Sequence, residues 1–160
     1  MRTAVAVVAW LAGLGGVLLT AFTLGFRSKF PPLHDAIRRF NRDVTNPRQL
    51  QRAGQPGAWA SVIHHVGRTS GSAYRTPVVA LPTEDGFVFA LPYGPAADWV
   101  RNVLAAGSAT IEHDGHSIKA ERPELLSAEQ ANSFFPVSGQ RMHRIYGIDD
   151  ALLLHRADDA

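Results

Sequence analysis

The densest group of reactive side chains runs His64-His65-Val66-Gly67-Arg68-Thr69-Ser70-Gly71, where a guanidinium and two hydroxyls stand between two glycines. A turn of this composition offers backbone N–H groups, hydroxyl donors and a bidentate cation to an anion. It is not a P-loop, because the lysine and the second-glycine spacing are missing and no helix pattern follows. A plain Gly-Ser turn is the competing reading of the same residues. Next, Tyr74-Arg75-Thr76-Pro77 opens a strand with a second cation. In a hairpin Arg68 and Arg75 would come to the same end, and two converging arginines imply an acidic ligand such as a phosphate.

A further group is Ala90-Leu91-Pro92-Tyr93-Gly94-Pro95, followed by Asp98-Trp99-Val100-Arg101-Asn102. It reads as a strand end that breaks at prolines and restarts as a helix, with Trp99 and Asn102 on one helix face. A planar ring ligand needs an apolar wall and a few aimed polar groups, which Leu91, Tyr93, Trp99 and Asn102 could supply. The plainer reading makes Trp99 a core anchor. His64-His65 and the pair His113 and His116 suggest a metal, yet adjacent strand residues point to opposite faces and no carboxylate stands at supporting spacing. No metal site is therefore expected. No G-x-S-x-G elbow supports a serine hydrolase.

The chain has 160 residues, 16 Lys+Arg against 14 Asp+Glu, seven histidines and no cysteine. Without thiols there is no disulfide scaffold, thiolate cluster or cysteine nucleophile, and redox chemistry would need a borrowed cofactor. The mean hydropathy of -0.05 averages two unlike pieces. Residues 3–26 carry no charge; 17 of these 24 are apolar and the rest are Gly or Thr. That is long enough to cross a hydrocarbon core of roughly 30 Å. A cleaved signal peptide is the rival, disfavoured by the length of the stretch and by Leu19 at the first position of the candidate exit Leu19-Thr20-Ala21.

Only Arg2 precedes the segment, while Arg27, Lys29, Arg38, Arg39, Arg42, Arg48 and Arg52 follow it against Asp35 and Asp43. This asymmetry predicts a single-pass protein of the cell membrane with its domain on the cytoplasmic side. The basic run could also lie on anionic lipid, or be a solvated linker. It accounts for the pI of 9.4, and without a basic stripe interleaved with aromatics elsewhere no nucleic-acid partner is expected. The organisation expected is an anchor at 1–28, a basic linker at 29–57 with short helices at Leu33–Phe40 and Pro47–Ala53, and a folded domain at 58–160.

Within the domain the hydrophobic period is two over Trp59–Val66, Arg75–Leu81, Phe87–Leu91, Ala109–His113, Ser117–Arg122 and Ala151–His155. Six short strands predict a mainly β domain, a closed or nearly closed antiparallel sheet with flanking helices. Glu84-Asp85-Gly86 and Asp114-Gly115 are hairpin signals. Helices are expected at Asp98–Ala106, stopped by Gly107, and at Ala128–Phe135, opened by a Ser127/Gln130 capping box.

Taken together, Gly67-Arg68-Thr69-Ser70-Gly71, Arg75-Thr76-Pro77, Leu91-Pro92-Tyr93-Gly94-Pro95 and Asp98-Trp99-Val100-Arg101-Asn102 resemble the deazaflavin-dependent nitroreductase family of actinobacteria. Order and spacing match over residues 59–160. The resemblance implies a split β-barrel, related to pyridoxamine-phosphate oxidases, that binds coenzyme F420 in a lateral groove, with FMN as the alternative cofactor. It implies that Arg68, Thr69 and Ser70 hold the anionic tail, continued by Tyr74, Arg75, Thr76, Pro77 and Val78. It further implies that Ala90, Leu91, Pro92 and Tyr93, with Asp98, Trp99, Val100, Arg101 and Asn102, line the deazaflavin.

Two departures bear on function. Many relatives carry a lysine after the turn arginine and a Ser-Lys pair where this chain has Pro92-Tyr93. Their substrate tyrosines lie where this chain has Met142, His143 and Tyr146. Tyr93 and Tyr146 are the candidates to orient or protonate substrate. The expected activity is hydride transfer from reduced deazaflavin to a small-molecule acceptor, a quinone or nitro compound; the alternative is a membrane-tethered carrier without turnover. The partners expected are that acceptor and membrane lipid.

Overall fold

The computed structural model describes residues 18–157. Of the expected membrane span, residues 3–17 lie outside the described residues; 18–27 are helical. Among the described residues no helix is long and apolar enough to cross a membrane. Helix α1 (Pro31–Phe40) follows, then a π-helical turn (Asn41–Thr45) and α2 (Asn46–Gln49). Proline at the start of α1 and of α2 suits positions whose N–H groups have no intrahelical partner.

All six expected strands are present. They are β1 (Ser61–Val66), a second one divided into β2 (Ala73–Val78) and β3 (Leu81–Pro82), β4 (Gly86–Ala90), β5 (Ser108–His113), β6 (His116–Ser127) and β7 (Asp150–Arg156). They form one seven-stranded sheet in the order β2-β1-β5-β6-β7-β4-β3, with every pairing antiparallel. The outermost strands, β2 and β3, are consecutive in sequence and separated by Val79 and Ala80 alone. At about 3.3 Å per residue the two edges of the sheet therefore lie within roughly 10 Å along the chain. The sheet must curl on itself, and one stretch of chain serves both edges. This is the nearly closed antiparallel architecture expected.

The Asp114-Gly115 turn has positive φ at both residues, 49° and 80°, as a two-residue hairpin of primed type requires. It sets His113 opposite His116. Strand β6 runs five residues beyond the expected Arg122, because a bulge absorbs Pro123: Arg122 takes φ 52° and the register with β7 shifts between Glu121 and Glu124.

Helix α3 (Asp98–Ala106) ends at Gly107, whose φ of 71° lets its N–H close on the Val103 carbonyl. The Ser127/Gln130 capping box forms in both halves, opening α4 (Ala128–Ala131), which tightens into a 3₁₀ turn at Asn132–Phe134. Helix α5 (Val137–Tyr146) was not expected from the sequence. Its polar composition hides an amphipathic period, although Pro136 before it and Gly147 in the left-handed conformation after it are boundary signals.

The main core gathers Ile63, Phe87, Phe89, Ile111, Leu152 and Leu154 with Val100 and Val103 of α3. Each such side chain contributes about 1.5–3 kcal/mol of burial. The opposite faces of β4 and β7 bury Val88, Ala151 and Leu153 against Ala131 and Phe135. Phe87-Val88-Phe89 and Ala151–Leu154 are thus apolar throughout because both faces are covered. A third cluster packs Leu50, Ala53 and Ala60 over Val62, so the end of the linker covers the outside of β1.

Candidate functional site

Strand alternation decides which residues meet. Cross-strand partners share a face, and β1 pairs with β2 as His64 to Arg75 and His65 to Tyr74. His65 therefore faces α3 while His64 faces outward, as the alternation argument required. His65 stacks on the Tyr74 ring at 5.7 Å. The turn between the strands closes through Gly67 N–H to the Ser72 carbonyl and Gly71 N–H to the Gly67 carbonyl. A Cβ on Gly67 would come within 2.7 Å of the Tyr74 ring, so this close approach suits glycine.

Arg68 leaves the turn toward α3. Its backbone N–H and its Nη1 both donate to Asn102 Oδ1, at 3.1 and 2.9 Å, and its Nη2 donates to Asp98 Oδ1 at 3.1 Å. With its oxygen so occupied, Asn102 Nδ2 donates to His65 Nδ1 at 3.1 Å. The imidazole then carries its proton on Nε2 and donates it to Thr76 Oγ1, 3.1 Å away. One chain of hydrogen bonds, Asp98–Arg68–Asn102–His65–Thr76, ties the turn, the start of α3 and both strands. Burial, followed by the field of His64, holds the His65 imidazole below its ordinary range, in accord with a neutral ring.

This predicts a pH dependence. A histidine whose folded-state pKa is lowered leaves the unfolded chain binding more protons, so its stabilisation is complete above the unfolded value of 6.5 and is lost as pH falls below it. His143, packed edge-on against Phe135 at 4.4 Å, is lowered by burial and adds the same sign. Urea midpoints should fall between about pH 7.5 and 5.5, and less steeply in His65→Gln.

Arg75 does not join Arg68. Its place opposite His64 puts it on the outer face, where Nη2 lies 3.6 Å from Glu112 Oε2 and His64 Nε2 lies 2.8 Å from Oε1 of the same carboxylate. The convergence of two arginines expected from the hairpin fails because an odd number of strand positions separates Arg75 from the face that Arg68 turns to. Thr69 and Ser70 are exposed on the turn. Ser70 Oγ lies 3.3 Å from the Tyr74 hydroxyl. Thr76, Pro77 and Val78 are half-buried; Thr76 belongs to the network, whereas Pro77 pairs with Val62.

Trp99 is half-buried, edge-on to Phe89 at 5.8 Å, and packs against the core. Val100 and Leu91 are core residues, so neither side chain is open to a ligand. Arg101 and Pro92 are exposed, and Ala90 is half-buried behind Leu81 and Val88. Beyond the network β1 and β5 part, since they pair only from Val62 to His64. A cleft of about 600 Å³ opens there between the His65–Tyr74–Arg75 side and Ser108–Thr110 with Lys119.

Tyr93 and Tyr146 meet a different neighbour. The Phe26 ring lies 6.3 Å from Tyr93 and 5.6 Å from Tyr146. Asn41 Nδ2 donates to the Tyr93 hydroxyl at 2.6 Å, and Arg38 donates to the Tyr93 carbonyl at 3.1 Å. Burial raises the Tyr93 phenol above its ordinary range, with the Asn41 bond and the Arg38 charge opposing. The phenol therefore stays protonated, able to donate while it accepts from Asn41. Asn41 and Phe26 had no signal as site residues in the sequence; His65 stood in the reactive group beside the turn but without a role there, and only β1 alternation could have set it apart from His64.

No protein-family model matches the sequence, and no curated protein does. Among solved structures, the fold is similar to that of an F420-H2-dependent reductase (FDR-A), with a TM-score of 0.50 and 12% identity over 61% of this chain and 94% of that one. HutZ, a haem storage protein from Vibrio cholerae, aligns with a TM-score of 0.44 and 11% identity over 78% of this chain and 90% of that one. An FMN-binding protein from Syntrophomonas wolfei aligns with a TM-score of 0.40 and 12% identity over 78% of this chain and 92% of that one. At these identities the likeness to FDR-A establishes a shared fold.

Proposed function

We propose that this chain is a membrane-held F420-dependent reductase that passes hydride to an electrophilic acceptor, a quinone by preference and nitro compounds adventitiously. The observation that carries the reading is Arg68, oriented by Asn102 and Asp98 at the start of α3 beside half-buried Trp99, in a fold similar to that of an F420-H2-dependent reductase.

The donor set suits an anionic tail. Arg68 offers a cation already fixed by two partners, so little side-chain freedom is lost on binding, and Thr69 and Ser70 offer exposed hydroxyls beside it. Asp98, 85% exposed at its side chain, can swing away to admit an anion, whereas buried Asn102 keeps the guanidinium in place. Trp99 presents the partly open ring on the same helix. Bound F420 in its reduced form supplies a hydride. This chain's part is to bind and orient the cofactor and, through the protonated Tyr93 phenol, to hold a proton near the acceptor. Tyr146, sharing Phe26 with Tyr93, shapes that apolar side.

Anchorage by residues 3–26, with the domain on the cytoplasmic side, favours an acceptor that dissolves in the bilayer. Because Phe26 packs against Tyr93 and Tyr146, the test should use the full chain in detergent. Titration with F420 and separately with FMN, followed by fluorescence, should show preference for F420. Arg68→Ala should weaken F420 binding about 10–100-fold, the loss of one charge-assisted contact. Arg75→Ala, whose guanidinium lies at the cleft edge turned toward Glu112 and away from Asn102, should change it less than about threefold. Preference for FMN, or equal loss in both variants, would overturn the assignment; failure to oxidise the reduced cofactor with any quinone would remove the acceptor.

A further inference from the structure

Among the described residues, 18–157, nothing covers the outward side of α5. Val137, Arg141, Arg144 and Ile145 recur at the helical i, i+4, i+7, i+8 spacing, flanked by Met142. Val137 is 68%, Ile145 50% and Met142 48% exposed. The inward side is occupied: Gln140 donates to the Asn132 and Phe135 carbonyls, His143 packs on Phe135, and Tyr146 meets Phe26. The exposed side thus alternates large apolar groups with arginines, and the ten residues of α5 include no acid.

We infer that this side of α5 is a second membrane contact, its apolar residues set among the acyl chains at an anionic bilayer surface and its arginines among the headgroups. The inference rests on the anchor reading above. One further observation and two physical arguments support it. The C-terminal end of α5 is stapled to the residues directly after the uncharged stretch: Arg27 donates to the Arg144 carbonyl, and Lys29 pairs with Asp149 at 3.2 Å. An anchored chain would therefore deliver α5 to the bilayer surface. Arginines flanking apolar side chains snorkel to anionic headgroups, as interfacial helices do. A second copy of the chain fits less well, since a twofold contact would set arginine against arginine with no acid to pair them.

Two attachments, the anchor at 3–26 and α5, would fix the domain's tilt. They would turn Tyr93 and Tyr146, which share Phe26, toward the lipid, the side from which an apolar acceptor arrives.

The chain has no cysteine, so single cysteines can be labelled in the full-length protein. An environment-sensitive bimane at Ile145→Cys is compared with one at exposed Ser117→Cys on the β5–β6 hairpin. The protein is reconstituted into phosphatidylcholine–phosphatidylglycerol vesicles carrying a doxyl-lipid quencher. The Ile145 label should be quenched severalfold more than the Ser117 label, and its emission shifted to the blue. The difference should vanish in Arg141→Glu/Arg144→Glu. If the protein floats with vesicles but both labels are quenched equally, the anchor stands and α5 docking is overturned. If it does not float, both fall. Shielding of the Ile145 label that grows with protein concentration in detergent would assign the face to a second copy and overturn the lipid contact.

Discussion

Asn102→Ala is expected to lower the unfolding free energy by about 2–4 kcal/mol and to weaken F420 binding as far as Arg68→Ala does. The amide is only 5% exposed and holds three groups at once: the Arg68 backbone N–H, the Arg68 guanidinium and His65 Nδ1. Alanine keeps the helix and fills none of these needs. The N–H and the imidazole nitrogen are then left in a partly dry space, each with a desolvation cost of about 1–3 kcal/mol, partly relieved by water. Urea unfolding with F420 titration checks both parts. A double-mutant cycle with His65→Ala should show coupling of at least about 0.5 kcal/mol, because the two residues belong to one network. Additive effects would mean that Asn102 acts through Arg68 alone.

Gly86→Ala is expected to be more damaging, at about 3–5 kcal/mol, with the sheet and not the site as its target. Gly86 pairs with His155 where β4 meets β7, and it is buried. A Cβ there would fall inside the envelope of the Leu154 carbonyl oxygen and within 2.9 Å of the His155 Cα. These are backbone atoms of a paired strand, so relief means parting β4 from β7 between the fully buried Phe87 and Leu154. Gly71→Ala is the matched control. Its φ of 66° disfavours alanine, yet nothing lies within 4 Å of the new methyl, so the cost should be about 1–2 kcal/mol. Chemical denaturation of the two variants separates steric collision at a strand pairing from simple backbone preference. Equal losses would show that β4 and β7 can yield locally.

The six strands, the Asp114-Gly115 hairpin, helix α3 with its Gly107 stop and the Ser127/Gln130 cap were legible in the sequence because each depends on neighbours a few residues away. Period-two apolar runs, glycines that tolerate positive φ and a hydroxyl that bonds an N–H three residues on are local physics. So were the separate faces of His64 and His65, and the uncharged stretch from Thr3 to Phe26. Where local signals conflicted, they misled. Pro123 reads as a strand end, but a bulge carries β6 through it. Val137–Tyr146 reads as polar, but one side of it closes over Phe135 and Phe26.

The site followed the same division. That Arg68, Thr69 and Ser70 could meet an anion, and that Trp99 and Asn102 share a helix, is a matter of residue type and spacing alone. Which arginine lies beside Asn102 was decided by register: the pairing of His64 with Arg75 sends Arg75 to Glu112, and the pairing of His65 with Tyr74 brings His65 to Asn102. Only the folded sheet sets that register, because a shift of one residue exchanges the two faces without changing any local preference. Likewise the ring that joins Tyr93 to Tyr146 comes from Phe26, distant from both along the chain. Residue chemistry was fixed by sequence; its convergence depended on long-range pairing and burial, which no window of a few residues contains.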